Sequence, residues 1–266
     1  MSIEPLSKTV AADMLRTLRS MRPLVHCLTN EVVQEITANV LLAAGASPAM
    51  VVAEEEAATF AAVADALLVN VGTPYPARLR AMHASAQSAA QHAHPWVLDP
   101  VAAGGIPWRD GEIRKLLLKK PDVVRGNASE IMALAGAGSG GKGVGSTTAS
   151  DEALASAQRL AADSGAIVCV TGETDYITNG TRTLAATGGH VMTTLVVGTG
   201  CSLSALVAAF CGAVEHSEER LEATAAACLL AKRASERAYA VAPAPGSFHA
   251  AYLDALYQLT PEDFLS

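Results

Sequence analysis

The sequence predicts an α/β protein: a mostly parallel sheet with helices on both faces. Three observations point there. Short apolar runs alternate with longer helical patterns along most of the chain. The apolar runs are continuous, as in Ala166-Ile167-Val168-Cys169-Val170-Thr171-Gly172, so each strand is covered on both sides. One segment, Tyr176 to Leu184, breaks the rhythm with an Asn179-Gly180 turn, which adds an antiparallel edge hairpin.

The elements follow in order. Leu24-Val25-His26-Cys27 reads as a strand, and Thr29-Asn30 opens a helix to about Ala44 with Asn30 as N-cap. Pro48 to Val52 is a short extended piece, and Glu54-Glu55-Glu56 places carboxylates in the first turn of the next helix, where they complement its dipole. Ala66 to Pro74 is strand and turn, and a helix follows from about Pro76 to His92. Trp96-Val97-Leu98-Asp99 and Pro121 to Asn127 are further strands. A helix from about Ser150 to Ser164 sets Ala153, Ala157, Leu160 and Ala161 on one face before the strand at Ala166. Helices from about Glu218 to Ala240 and Phe248 to Leu259 close the chain, parted by Pro243-Ala244-Pro245-Gly246. No internal repeat or linker divides the 266 residues, so one domain spanning 1–266 is expected.

Composition narrows the function. The net charge is -7 and the basic residues are scattered, which argues against nucleic acid or an anionic membrane surface. No apolar run approaches the ~20 residues of a membrane span. The N-terminus lacks a basic start and an apolar stretch, so no signal peptide is expected. The five cysteines are odd in number and contain no C-x-x-C, which suits a reducing cytoplasm better than a disulfide framework or a zinc site.

The chemistry centres on Val196-Val197-Gly198-Thr199-Gly200-Cys201, a glycine turn running into a helix that is apolar on nearly every side. Glycines permit close backbone approach, and a helix N-terminus offers unpaired N–H groups and partial positive charge, so together they make an anion site. Cys201 on that first turn is expected to have a lowered pKa and to serve as a proton acceptor; the alternative is a small apolar filler. Ligands of parallel sheets bind beyond the carboxyl ends of the strands. There the sequence places Asn30, Gly72, Asp99, Arg125 and Thr171. Asp99 before Pro100 either starts a turn or helps hold Mg²⁺, which prefers one or two carboxylates plus phosphate oxygens. Asn127-Ala128-Ser129-Glu130 fits a capping box, with Glu130 as second metal carboxylate in the functional reading. Arg125 is either a phosphate clamp or half of a salt bridge, and Thr171 either a nucleotide contact or a strand end. The glycine-rich stretch Gly136 to Gly145 satisfies G-x-G-x-x-G and most of a Walker A pattern. It follows a helix, and Gly143 succeeds Lys142, so it reads as a surface loop.

Six motifs, in order, resemble the hydroxyethylthiazole kinase family of the ribokinase-like superfamily: Val25 to Asn30, Gly45 to Met50, Leu98 to Val101, Arg125 to Ile131, Val170 to Asp175, and Gly198 to Cys201. The resemblance spans about Pro23 to Leu259. It implies a ribokinase-like fold and ATP-dependent phosphorylation of the primary hydroxyl of 4-methyl-5-(2-hydroxyethyl)thiazole, a step of thiamine salvage. It further implies that Cys201, with Gly198, Thr199 and Gly200, forms the catalytic turn, and that Met50, Gly198 and Asn30 meet the thiazole. Arg125 and Thr171 would contact ATP, and Asp99 and Glu130 would serve Mg²⁺. The resemblance also implies a homotrimer with active sites between subunits, the Gly72-Thr73 loop reaching a neighbour's pocket. A nicotinamide oxidoreductase would need a strand before Gly136, and none is read there. A non-catalytic thiazole binder is separated by a coupled ATP assay.

Overall fold

The computed structural model describes residues 3–136 and 147–265. In chain order the elements are β1 (Ile3–Pro5), α1 (Lys8–Met21), β2 (Leu24–Leu28), α2 (Gln34–Ala44), β3 (Ser47–Ala49), α3 (Glu54–Ala61), β4 (Ala66–Asn70), α4 (Pro76–Gln91), β5 (Trp96–Asp99), α5 (Pro107–Leu117) and β6 (Val123–Asn127). There follow α6 (Ala128–Leu134), α7 (Thr147–Ser164), β7 (Ile167–Thr171), β8 (Asp175–Thr178), β9 (Thr183–Ala186), α8 (Thr199–Ala213), α9 (Arg220–Val241) and α10 (Pro245–Gln258). Beyond Gly136, the glycine-rich stretch read as a loop lies outside the described residues.

The strands form one sheet in the order β1-β9-β8-β7-β6-β5-β4-β2-β3. From β7 to β3 every pairing is parallel, and β8 pairs antiparallel with both β7 and β9. The expected antiparallel hairpin is therefore present, turning at Asn179-Gly180 with Gly180 at φ 89°. Outside it lies β1, parallel to β9, a strand that the sequence did not disclose.

Alternation along each strand divides the core. Ala66, Leu68, Val97, Val123 and Cys169 enter a cluster with the apolar faces of α1, α2, α8, α9 and α10. Their neighbours Leu67, Val69, Trp96, Leu98, Val124 and Val168 enter a second cluster with α3 to α7. Such a pattern is what continuous apolar strands require, because a period of two sends successive side chains to opposite faces. Each fully buried side chain of this kind contributes roughly 1.5–3 kcal/mol. Among the described residues no helix is long and apolar enough to cross a membrane.

Helix α8 is the element that fixes the site. It packs across β2, β4 and β5, and beyond its first turn nearly every residue is buried. Its N-terminus therefore arrives where those strands end.

Candidate active site

Gly198 is the N-cap of α8 and adopts φ 92°, ψ -7°, a conformation that L side chains rarely take. A Cβ built there would lie 2.5 Å from Ile36 Cγ2 and 3.1 Å from Val33 Cγ1, so these two side chains leave no room for one. The first intrahelical bond runs from Ser202 N to Gly198 O at 2.8 Å, and the amides of Thr199, Gly200 and Cys201 precede it without intrahelical acceptors. The Thr199 hydroxyl donates back to Thr193 O and Val196 O at 2.8 and 3.2 Å, which closes the turn. In Gly198→Ala the positive φ and the overpacking add, and we expect roughly 2–4 kcal/mol of destabilisation, read as a lower urea midpoint with unchanged slope. An alanine variant as stable as the wild type would contradict this geometry.

On one side of the turn lies a pocket of about 750 Å³, lined by Arg125, Thr171, Thr199 and Gly200 among others. The cradle thus opens onto the strand ends that the sequence singled out. The Arg125 guanidinium is buried and forked: Nη1 donates to Gly200 O at 2.9 Å and Nη2 to Thr171 Oγ1 at 2.6 Å. Its Nε is buried without a partner. Burial pulls the Arg125 pKa down, but Asp99, Cys169, Asp175 and Glu130 outweigh it and the net shift is upward. The salt-bridge alternative for Arg125 is not what the structure shows, since its hydrogen bonds go to the cradle and to Thr171.

On the other side a buried polar chain runs from the thiol to the carboxylate. Asn30 Nδ2 lies 3.6 Å from Cys201 Sγ and donates to Asn70 Oδ1 at 3.0 Å. Asn70 Nδ2 donates to Asp99 Oδ2 at 2.7 Å, and Ser204 Oγ donates to the same oxygen at 2.8 Å. Asn30 also caps a 3-10 turn, Glu31–Val33, by accepting from Val32 N; the helix expected to start at Asn30 begins after that turn, with Val33 as the N-cap of α2. Gly72 is glycine because a Cβ would meet Asn30 Cβ and Nδ2 at 2.7 Å. Thr73 sits at φ 39°, an uncommon value for a β-branched residue, with its Oγ1 accepting from Glu31 N at 3.2 Å. Met50 is half-buried against the cluster that also receives Cys201. His26 Nε2 bonds Val51 O at 2.7 Å and so fixes the chain just after Met50.

One expectation is overturned. The Cys201 thiol pKa is not lowered but pushed up to about 11, by burial first and then by the Asp99 charge. The hydrogen bonds from Asn70 and Asn30 and the charge of Arg125 pull the other way and do not prevail. A helix N-terminus supplies about half a charge, which here is outweighed by the loss of water. At neutral pH Cys201 is a thiol.

Asp99 is buried at the end of β5, and its pKa is raised to about 7, again by burial before the opposing effect of Arg125. Both hydrogen bonds to it land on Oδ2. Glu130 completes the capping box that the sequence predicted: Asn127 Oδ1 accepts from Glu130 N at 3.0 Å and Glu130 Oε2 from Asn127 N at 2.9 Å. Its other oxygen accepts from Ala102 N at 2.9 Å, which ties the loop after β5 to α6. The pair fits Mg²⁺ by its chemistry. Both are hard oxygen donors, Asp99 Oδ1 lies outside the two hydrogen bonds that fall on Oδ2, each Glu130 oxygen has a lone pair beyond its one hydrogen bond, and a carboxyl held near 7 by burial gains from a cation beside it.

The sequence therefore named most of what the structure assembles. It missed Asn70, Ser204 and His26. Asn70 carries the same signal as Asp99, a polar residue ending an apolar strand; Ser204 carries none, being one small residue inside an apolar helix.

The model of the Hydroxyethylthiazole kinase family matches residues 15–262. The hydroxyethylthiazole kinase of Escherichia coli O17:K52:H18 is 52% identical over 262 residues, covering 98% of this chain and 99% of that one. A solved structure of the hydroxyethylthiazole kinase protein from Pyrococcus horikoshii OT3 superposes with a TM-score of 0.86 at 38% identity, over 94% of this chain and 93% of the other. A ribokinase-like superfamily protein from Enterococcus faecalis V583 aligns over 97% of each chain with a TM-score of 0.65 at 16% identity, a likeness of fold alone. The fold is ribokinase-like, and the chain belongs to the hydroxyethylthiazole kinase family.

Proposed function

We propose that residues 1–266 act as one kinase domain that transfers the γ-phosphoryl group of ATP to the primary hydroxyl of 4-methyl-5-(2-hydroxyethyl)thiazole, in the thiamine salvage of a reducing cytoplasm. The observation that carries this reading is the joining of the Gly198–Cys201 turn to Arg125 and Thr171 in one pocket, with the Asn30–Cys201 contact on the turn's other side. The donor phosphates lie toward Arg125 and Thr171. The acceptor lies toward Met50, Asn30, Gly72, Thr73 and Gly198. The new bond joins the substrate oxygen to the γ-phosphorus as the bond from that phosphorus to the β,γ-bridging oxygen breaks.

Positioning and charge do most of this work, because a loose phosphoryl-transfer state asks for little covalent help. The free amides of the turn meet the transferring oxygens, and Arg125 spreads charge from the donor side. Cys201, held as a thiol, orients the hydroxyl. The substrate hydroxyl proton leaves late in such a transition state and passes to an oxygen of the transferred phosphoryl group, so no standing base is required. Asp99 and Glu130 would hold Mg²⁺, which when bound offsets charge on the phosphates. A homotrimer is the assembly we favour: Val32, Leu195 and Val197 are exposed apolar residues beside the site, and a neighbouring subunit would cover them.

The test is Cys201→Ala with ATP and the thiazole as substrates. We expect kcat to fall at least about tenfold while KM for the thiazole moves less than threefold, since general-base help would be worth ~10²–10⁴ and orientation less. Cys201→Asp should keep substantial activity, and the wild-type kcat profile should show no thiol titration below pH 9. An alanine variant turning over at the wild-type rate removes Cys201 from the chemistry. Absence of ATP-dependent transfer by the wild type removes the function.

A further inference from the structure

Helix α9 carries a lysine in an unusual place. Lys232 is buried, and its ammonium donates to three backbone carbonyls, Glu173 O at 2.9 Å, Gly172 O at 3.1 Å and Gly188 O at 3.3 Å, with Asp175 Oδ1 at 3.3 Å. A shell of carbonyls and one carboxylate is the environment that a dehydrated monovalent cation takes, the carbonyl oxygens standing in for water. Here the cation is tethered to a helix.

The carbonyls come from two different segments. Gly172 and Glu173 belong to the turn between β7 and β8, and Gly188 to the strap that leaves β9 and leads to the Gly198 turn. Asp175 Oδ1 also accepts from Gly172 N at 2.9 Å, so the carboxylate is shared between the turn and the ammonium. Other residues on the same face of α9 hold the strap: Glu236 Oε1 accepts from Gly189 N at 2.8 Å, Ser235 Oγ from His190 N at 3.0 Å, and the Tyr239 ring stacks on His190. The spacing 232, 235, 236, 239 is one helical stripe. Gly172, Glu173 and Gly188 all line the 750 Å³ pocket.

We propose that Lys232 is a positioning residue that acts as a built-in monovalent cation: its ammonium pulls the β7–β8 turn and the strap together and so sets the width of the phosphoryl-donor pocket. The proposal rests on the reading of that pocket as the site of ATP. The reacting atoms are not touched; a loss of the cation loosens two walls that lie against the nucleotide.

The prediction is specific to the cage. Lys232→Ala removes the tethered ammonium and opens a space of about its size among the same carbonyls. KM for ATP should rise at least tenfold, with kcat at saturating ATP within about threefold of wild type. Ammonium or potassium chloride should restore KM, whereas tetramethylammonium chloride at equal ionic strength should not, being too large to enter. Lys232→Met keeps the aliphatic stem and fills the space, so it should show the same rise without rescue. Melting temperature supplies a readout independent of catalysis: ammonium should raise that of Lys232→Ala and leave the wild type and Lys232→Met unmoved. An unchanged KM in both variants, or a defect in Lys232→Ala that ammonium does not relieve in KM or melting, overturns the proposal. If the alanine variant does not fold, Lys232→Met decides by its KM alone. If the wild type does not use ATP, the ammonium-dependent melting shift still tests the cage, and the failure belongs to the proposed function.

Discussion

Arg125→Met should lower kcat/KM for ATP by about 10³-fold. Removing one preorganised donor from an oxyanion site costs ~10²–10³ in kcat, and an arginine on a transferring phosphoryl group is worth 10³ or more. Arg125 joins both effects, because the same guanidinium touches the cradle at Gly200 O and the strand end at Thr171 Oγ1. It also lies among the charges of Asp99, Asp175 and Glu130, whose attraction outweighs its own burial. Taking it away leaves those carboxylates uncompensated, so the melting temperature should fall as well. Arg125→Lys should recover little of the rate. An ammonium is a point charge and cannot span the two acceptors that the planar fork reaches. The measurement is initial velocity against ATP at saturating thiazole, with the melting curve alongside. A kcat/KM within tenfold of wild type would show that the arginine is only a strut.

The contrast between Arg125 and Cys201 shows what a sequence can and cannot disclose. Both were picked out because they close a strand or open a helix, and the structure puts both at the cradle. Position was legible because strand ends and glycine turns are local. Electrostatic state was not, since it depends on burial by elements far away in the chain. The helix dipole argued for an acidic thiol; the packing of α8 against β2, β4 and β5 dries the site and raises the pKa instead. The same holds for the fold. Strands β5 and β7 were legible as apolar runs ending in a polar group. The edge strand β1 is three exposed residues including Pro5, and nothing marks it until β9 is there to pair with. Helix α5 hides behind Pro107 and Gly111, and its apolar face is only Ile113 and Leu116. Lys232 is the extreme case. In the sequence it is one lysine in an alanine-rich helix, and its partners lie 44 to 60 residues away.

Asp99→Asn should separate stability from activity. In metal-free protein the wild-type carboxyl has its pKa raised from 3.8 to about 7, so between roughly pH 4 and 7 the folded state holds a proton that the unfolded state has lost. Stability rises with pH only where the unfolded state binds more protons. Here the folded state binds more, so this group makes the wild type less stable as pH climbs through that window. Above about pH 8 the penalty is complete, on the order of 4 kcal/mol from 1.36 kcal/mol per unit. Below pH 4 it is absent. The asparagine carries no charge to bury, and its Oδ1 can still accept from Asn70 and Ser204. In EDTA, therefore, the variant should melt several degrees above wild type at pH 8 and show no such gain at pH 4, at about 2–4 °C per kcal/mol for a chain of this size. Mg²⁺ should then stabilise the wild type at pH 8 and not the variant. Activity should move the opposite way, with kcat reduced about 10³-fold, because the amide cannot balance a divalent charge beside the phosphates. A variant less stable than wild type at pH 8 in EDTA would refute the burial penalty. A variant active within tenfold of wild type would take Asp99 out of the metal site, even with its place in the Asn70–Asn30–Cys201 chain intact.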